Sequence, residues 1–131
     1  MSSVSSTPLI SIVIPSFNQF EGLQKTIESF SDCDDIEIVV IDGGSNDGSA
    51  QWLLENQEKI SKLRIAPDRG IYDAMNKGIA QSSGHWIWFM GTGDVPLDGA
   101  VNTIIEKVKS CDQSDLHAFC VELAPPLEPG V

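Results

Sequence analysis

A chain of 131 residues is long enough to bury a sizeable core as one domain, and 41% hydrophobic with 21% charged residues is ordinary for a soluble globular protein. Its net charge of −11, from 19 acidic and 8 basic residues, excludes general binding to a nucleic-acid backbone, which needs clustered Lys and Arg. A phosphorylated ligand must then be held by a metal, by backbone N–H groups or by a few placed bases.

The Ser-rich start, Met1 to Thr7, carries no Lys or Arg and does not read as a secretory signal. Residues 1–8 are expected to be disordered, 9–123 to form one domain and 124–131, with three prolines, to be an irregular tail. Leu9 to Ile14 is an almost continuous apolar run ended by Pro15, as in a central parallel strand buried on both faces. Phe20, Leu23, Ile27 and Phe30 recur at helical spacing. Ile36 to Ile41 predicts a second strand, ending in the turn-rich stretch Asp42 to Gly48. A helix through Trp52, Leu53 and Leu54 to about Ile60 follows, then a short strand over Leu63 to Ala66.

Ile71, Ala74, Met75, Gly78 and Ile79 form the apolar stripe of a third helix. Trp86 to Met90 predicts a fourth strand, buried by composition. Pro96 is placed for the first turn of another helix, with the stripe Ala100, Val101, Ile104, Ile105 and Val108. Leu116 to Leu123 is a candidate fifth strand. Strands alternating with helices predict an α/β fold, a three-layer α/β/α sandwich with a mostly parallel sheet. No run approaches the ~20 apolar residues of a membrane span. Cys33, Cys111 and Cys120 lack C-x-x-C spacing and read as free thiols of a reducing compartment.

Ligands on parallel sheets sit at the carboxyl ends of the strands. Four polar clusters fall there: Pro15 to Gln19, Asp42 to Asp47, Asp68 to Gly70 and Gly91 to Asp94. Asp42 is either an acceptor for a nucleobase ring N–H or the centre of an Asx-turn or helix cap in the loop that follows it. Asp47 suits a helix cap. Phe17 either covers a base or packs on a rim. Arg69 lies at the positive end of the third helix, where anions bind, or pairs with Asp68 or Asp73. Asp73, Asn76 and Lys77 either aim at a ribose and phosphate or include a plain i,i+4 pair. Asp94, behind flexible Gly91-Thr92-Gly93, is a metal ligand or a cap before Pro96. His85 and His117 are isolated, and no zinc spacing, nucleophile elbow or P-loop is present. The first strand runs into Pro-Ser-Phe-Asn-Gln, against a dinucleotide-binding G-x-G-x-x-G turn.

In order, SIVIPSFNQ (11–19), IEIVVIDGGSNDGS (36–49) and DRGIYDAMNKGIAQSSGHWIWFMGTGD (68–94) resemble the donor-binding half of a family 2 glycosyltransferase. The likeness covers roughly residues 9–110 and best fits the branch that elongates bacterial surface polysaccharides. It implies the GT-A fold, with a Rossmann-like nucleotide-binding half. It implies that Pro15 and Phe17 lie along the base, that Asp42 binds its ring N–H, and that Arg69, Asp73 and Asn76 lie near the ribose and diphosphate. Asp94 matches the last carboxylate of the family's Asp-x-Asp metal motif, here reduced to Gly91-Thr92-Gly93-Asp94, so Mg²⁺ or Mn²⁺ is the implied cofactor. The implied reaction is inverting, metal-assisted transfer from a UDP-, dTDP- or GDP-type sugar to a glycan or lipid-linked acceptor. Family members continue into a second half that supplies the acceptor groove and a catalytic Asp or Glu. No residue here, Glu122 included, is assignable as that base. The chain is therefore expected to bind donor without completing transfer; the alternative is a non-catalytic or degenerate nucleotide-sugar-binding module. A cytoplasmic location, peripheral contact with the inner membrane face and self-association are further expectations.

Overall fold

The computed structural model describes residues 7–30 and 34–111. The fifth strand expected over 116–123, the tail, Cys33, Cys120, His117 and Glu122 lie outside the described residues. Two apolar runs become the central strands β1 (Ile10–Ser16) and β2 (Ile36–Asp42), both largely buried. β3 (Lys62–Ile65) pairs with β2, and β4 (Trp86–Phe89) pairs with β1. The order is β3-β2-β1-β4, and every pairing is parallel. The chain order reverses direction between β1 and β4, the kind of switch point that opens a crevice at the carboxyl ends.

Side chains alternate across a strand, so each face of the sheet collects its own set. Val13, Val39 and Ile41 share one face and pack with Ala74 of α3 (Ile71–Gln81). Gly78 permits this contact, because a Cβ there would run into the Val13 side chain. On the other face, Trp88 sits in register with Ile12. Its ring meets Phe30, just past α1 (Phe20–Glu28), edge-on at 5.8 Å. Helices thus flank both faces of a parallel sheet, as the alternating pattern predicts. α2 (Ser49–Glu55) is followed by a single 3₁₀ turn, Gln57–Lys59, in place of one helix to Ile60.

Three expectations change. β1 runs through Pro15 to Ser16 instead of stopping before the proline. The Leu9 and Val13 carbonyls accept bonds from Trp86 and Met90 on the β4 side. Pro15, two residues further on, directs its missing N–H to that same side, where pairing has already ended at Val13 with Phe89. The second change is β4, which is an edge of the four-stranded sheet and only half-buried, although its composition suggests a buried strand. The third is the α3 stripe: only Ala74 and Gly78 are buried, while Ile71 and Ile79 are exposed.

The amino ends of the strands are fastened by a buried carboxylate. Glu37 accepts bonds from the Ser11 hydroxyl (2.6 Å), the Ser83 N–H (2.8 Å) and the Ser83 hydroxyl (2.7 Å). The Lys62 ammonium lies 3.3 Å away. Burial pushes the Glu37 carboxyl up, but these donors, Ser11 first, outweigh it and hold the group below its ordinary range. Gly84 donates to the Ser11 hydroxyl at 2.9 Å, and a Cβ at Gly84 would stand 2.7 Å from that oxygen.

The chain divides into two units between Val95 and Pro96. The second contains α4 (Ala100–Lys109), which starts after Gly99 in the left-handed conformation at φ 80°. Pro96 therefore precedes this helix instead of sitting in its first turn. Lys107 and Lys109 in its last turn complement the negative end of the helix dipole.

Candidate functional site

The loops at the carboxyl ends of β1 and β2 are tied into one frame. Asp42 is fully buried at the end of β2. Its Oδ2 accepts the Gly44 N–H at 3.0 Å and the Ser45 N–H at 2.7 Å, and its Oδ1 accepts the Ser45 hydroxyl at 2.7 Å. The Asx-turn is thus the arrangement the structure contains, and both carboxylate oxygens are engaged by the loop itself. The Ser45 hydroxyl in turn accepts the Asn18 N–H at 2.8 Å, and the Asn18 side chain accepts the Asn46 N–H at 2.9 Å. Asn18 has φ 52°, a left-handed conformation that Asn tolerates better than most residues. Asp47 serves two helices. It accepts the Ser49 N–H and hydroxyl at the start of α2 and the Phe20 N–H at the start of α1. The Ser49 hydroxyl is the main reason its carboxyl is held below the usual range.

A cavity of about 450 Å³ opens beside this frame. Pro15, Ser16, Phe17, Gly43, Asp68 and Ile71 line it, together with the first turn of α3. Asp42 is not among its lining residues. Phe17 and Ile71 are 58% and 59% exposed, which leaves their apolar surface available to a planar group. Asp68 is the one ionisable lining residue among the described residues. Its Oδ1 accepts the Gly70 N–H at 3.0 Å in a tight turn into α3. Gly70 has φ 113°, which a residue with a Cβ rarely adopts.

At the start of α3, Asp73 accepts the Arg69 N–H at 2.8 Å and the Lys77 ammonium at 2.9 Å. Lys77, then the Arg69 backbone, hold its carboxyl below the ordinary range. The plain i,i+4 pair is therefore present. The Arg69 guanidinium makes no ion pair with Asp68 or Asp73 among the described residues. Arg69 and Asn76 are both exposed.

The loop after β4 is clamped to α1. Thr26 is fully buried, and its hydroxyl accepts the Gly93 N–H and donates to the Asp94 carbonyl, both at 2.8 Å. Gly93 also donates to the Gly22 carbonyl at 3.1 Å. A Cβ on Gly22 would come within 3.0 Å of the Gly93 nitrogen, so glycine is what lets the loop lie this close. Asp94 is exposed, and none of the hydrogen bonds among the described residues uses its carboxylate. It caps no helix, because α4 begins later. Among the described residues no three His, Cys, Asp or Glu side chains come together to hold a metal. An exposed carboxylate that no hydrogen bond among the described residues uses is chemically compatible with Mg²⁺ or Mn²⁺, ions that can complete their shell with phosphate oxygens and water.

The structure brings Pro15 and Phe17 to the cavity, sets Asp94 on a fixed loop and keeps Asp42 within its turn. Sequence reasoning placed Asn18, Ser45 and Asp68 in the strand-end clusters without giving them these contacts, and it passed over Thr26. Thr26 carried a readable signal, since it lies three residues after Leu23 on the buried stripe of α1.

A model of glycosyl transferase family 2 matches residues 11–116. An uncharacterized glycosyltransferase of Mycobacterium tuberculosis is 39% identical over 94 residues, covering 70% of this chain and 36% of that protein. A GalNAc(5)-diNAcBac-PP-undecaprenol beta-1,3-glucosyltransferase of Campylobacter jejuni is 29% identical over 118 residues, covering 86% of this chain and 37% of that protein. The chain thus spans little more than a third of the length of these relatives. Among solved structures, Staphylococcus aureus TarS with UDP-GlcNAc superposes with a TM-score of 0.67 at 17% identity, over 77% of this chain and 31% of that one. Mycobacterium tuberculosis glucosyl-3-phosphoglycerate synthase, with Mn²⁺, UDP and glucosyl-3-phosphoglycerate, does so with a TM-score of 0.62 at 20% identity, over 79% and 40%. Both likenesses are of fold.

Proposed function

The chain belongs to glycosyl transferase family 2, and from that membership we propose that it forms the donor side of a nucleotide-sugar glycosyltransferase. The observation that carries the proposal is the cavity at the carboxyl ends of β1 and β2, lined by Pro15, Phe17 and Asp68. Asp94, whose carboxylate takes part in no hydrogen bond among the described residues, stands just after the neighbouring β4. A base sits against Phe17, and the ribose and diphosphate run along the start of α3, near Arg69, Asp73 and Asn76. Backbone N–H groups at a helix start favour the negative diphosphate. Asp94 is the protein ligand for Mg²⁺ or Mn²⁺, and the ion, when bound, offsets the charge that builds on the departing diphosphate. UDP, dTDP and GDP sugars are the donor class.

The reaction proposed for the whole protein is inverting transfer to a glycan or lipid-linked acceptor. The undecaprenol-linked substrate in the name of the Campylobacter relative supports that acceptor class. No helix among the described residues is long and apolar enough to cross a membrane. Contact with a lipid-linked acceptor would therefore be peripheral for this part of the protein. Calorimetric titration with UDP-, dTDP- and GDP-sugars, each with Mn²⁺, tests the reading. Saturable, metal-dependent binding of one of them is expected, and silence from all three would remove the donor site.

A further inference from the structure

The group best placed to read the base is not the strand-end carboxylate Asp42. Asp42 is fully buried, and both its oxygens are engaged by Gly44 and Ser45. The next residue, Gly43, does line the cavity, but it has no side chain. The space its side chain would enter is filled from another loop: a Cβ on Gly43 would lie 2.9 Å from Asp68 Oδ2. Asp68 therefore presents a carboxylate where the β2 loop presents none. One of its oxygens is fixed by the Gly70 N–H, and Oδ2 takes part in no hydrogen bond among the described residues. A second, independent observation points the same way. Ser16 lines the cavity and is only 5% exposed, and its Oγ is buried with no hydrogen-bond partner among the described residues. An orphaned buried hydroxyl costs free energy unless a ligand satisfies it.

We propose that Asp68 and Ser16 together determine which nucleobase the site accepts, reading a ring N–H beside a carbonyl. Asp68 Oδ2 accepts the ring N–H, and the Ser16 hydroxyl, closed off from solvent in this structure, turns toward the cavity when the base binds and donates to the adjacent carbonyl. Uracil, thymine and guanine present that pair. Cytosine and adenine present a lone pair where the N–H must be, and it faces a carboxylate that can only accept. The proposal rests on the cavity being a nucleotide-diphosphate site.

The test is calorimetric titration of the chain with UDP, dTDP, GDP, CDP and ADP at one fixed Mn²⁺ concentration. The wild type is expected to favour UDP or dTDP over CDP, or GDP over ADP, on the order of 10-fold or more. Which pair shows the preference tells pyrimidine from purine. Asp68→Asn keeps the acceptor for Gly70 and puts an amide donor in place of Oδ2. That exchange should narrow or reverse the preference. Gly43→Ala, which crowds the same oxygen, provides a second variant and should weaken the favoured nucleotide more than the disfavoured one. Ser16→Ala should weaken the favoured nucleotide. Thermal melts of each variant show that it is folded. If the wild type discriminates and both the Asp68 and Gly43 variants keep its ratio, the assignment to Asp68 is overturned while the donor site stands. If no nucleotide binds the wild type, both are overturned.

Discussion

Thr26→Val is the substitution that most directly tests how the Asp94 loop is held. Valine nearly matches threonine in volume, so the buried packing of α1 is retained and the hydroxyl alone is removed. The hydroxyl accepts one bond from Gly93 and donates one to the Asp94 carbonyl, both at 2.8 Å. The Gly93 N–H keeps a second partner, the Gly22 carbonyl at 3.1 Å. The Asp94 carbonyl loses the hydrogen bond from the hydroxyl. Two hydrogen bonds lost at about 1 kcal/mol each give a loss of about 2 kcal/mol. In urea this lowers the unfolding midpoint by roughly 1 M with the slope unchanged. Thr26→Ser keeps the hydroxyl and loses one methyl, so it should cost about 1 kcal/mol. Mn²⁺-dependent nucleotide affinity should fall in the Val variant and hold in the Ser variant. A Val variant within 0.5 kcal/mol of wild type, or a Ser variant equally damaged, would refute the clamp.

Gly78→Ala drives a methyl into Val13 and should destabilise the chain by about 1–3 kcal/mol through overpacking between α3 and β1, read as a lower thermal midpoint. Glu37 has a depressed folded pKa, so its contribution is complete above the ordinary glutamate value of about 4.3 and is lost as the pH falls through the lower folded value. Glu37→Gln should therefore cost about 2 kcal/mol at neutral pH and converge with wild type in acid; a constant gap down to the acid transition would show that the charge is irrelevant. Asp94→Asn should abolish the Mn²⁺ dependence of nucleotide binding without lowering the unfolding midpoint, because its carboxylate takes part in no hydrogen bond among the described residues; a large loss of stability would contradict that.

The sheet was legible because a strand buried on both faces is mostly apolar, as Ile12 to Ile14 and Ile38 to Ile41 are, with Ser11 and Glu37 the polar exceptions near the strand starts. β4 was misread for the same reason. Trp86, Trp88 and Phe89 are apolar, but composition carries no information on which strand lies at an edge. The place of the cavity was legible because turn residues and carboxylates gathered at the strand ends. The division of roles among the carboxylates was not. An aspartate after a strand serves a turn or a ligand according to which N–H groups lie within 3 Å, and for Asp42 the donors are Gly44 and Ser45. Asp68 was hidden by a relation between two loops. Gly43 and Asp68 are unremarkable alone, and only their closeness in space shows that one occupies the room the other leaves.

The Glu37 cluster has a consequence for changing this molecule. It lies five residues before Asp42 on one strand, so roughly 16 Å separates the fastened end of the sheet from the end that carries the cavity. Substitutions that far apart, with no shared partner, combine additively. If residues 16, 43 and 68 read the base as proposed, donor choice can be re-engineered there while lost stability is restored at residues 11, 37, 62 and 83. Neither effort needs to be repeated when the other advances.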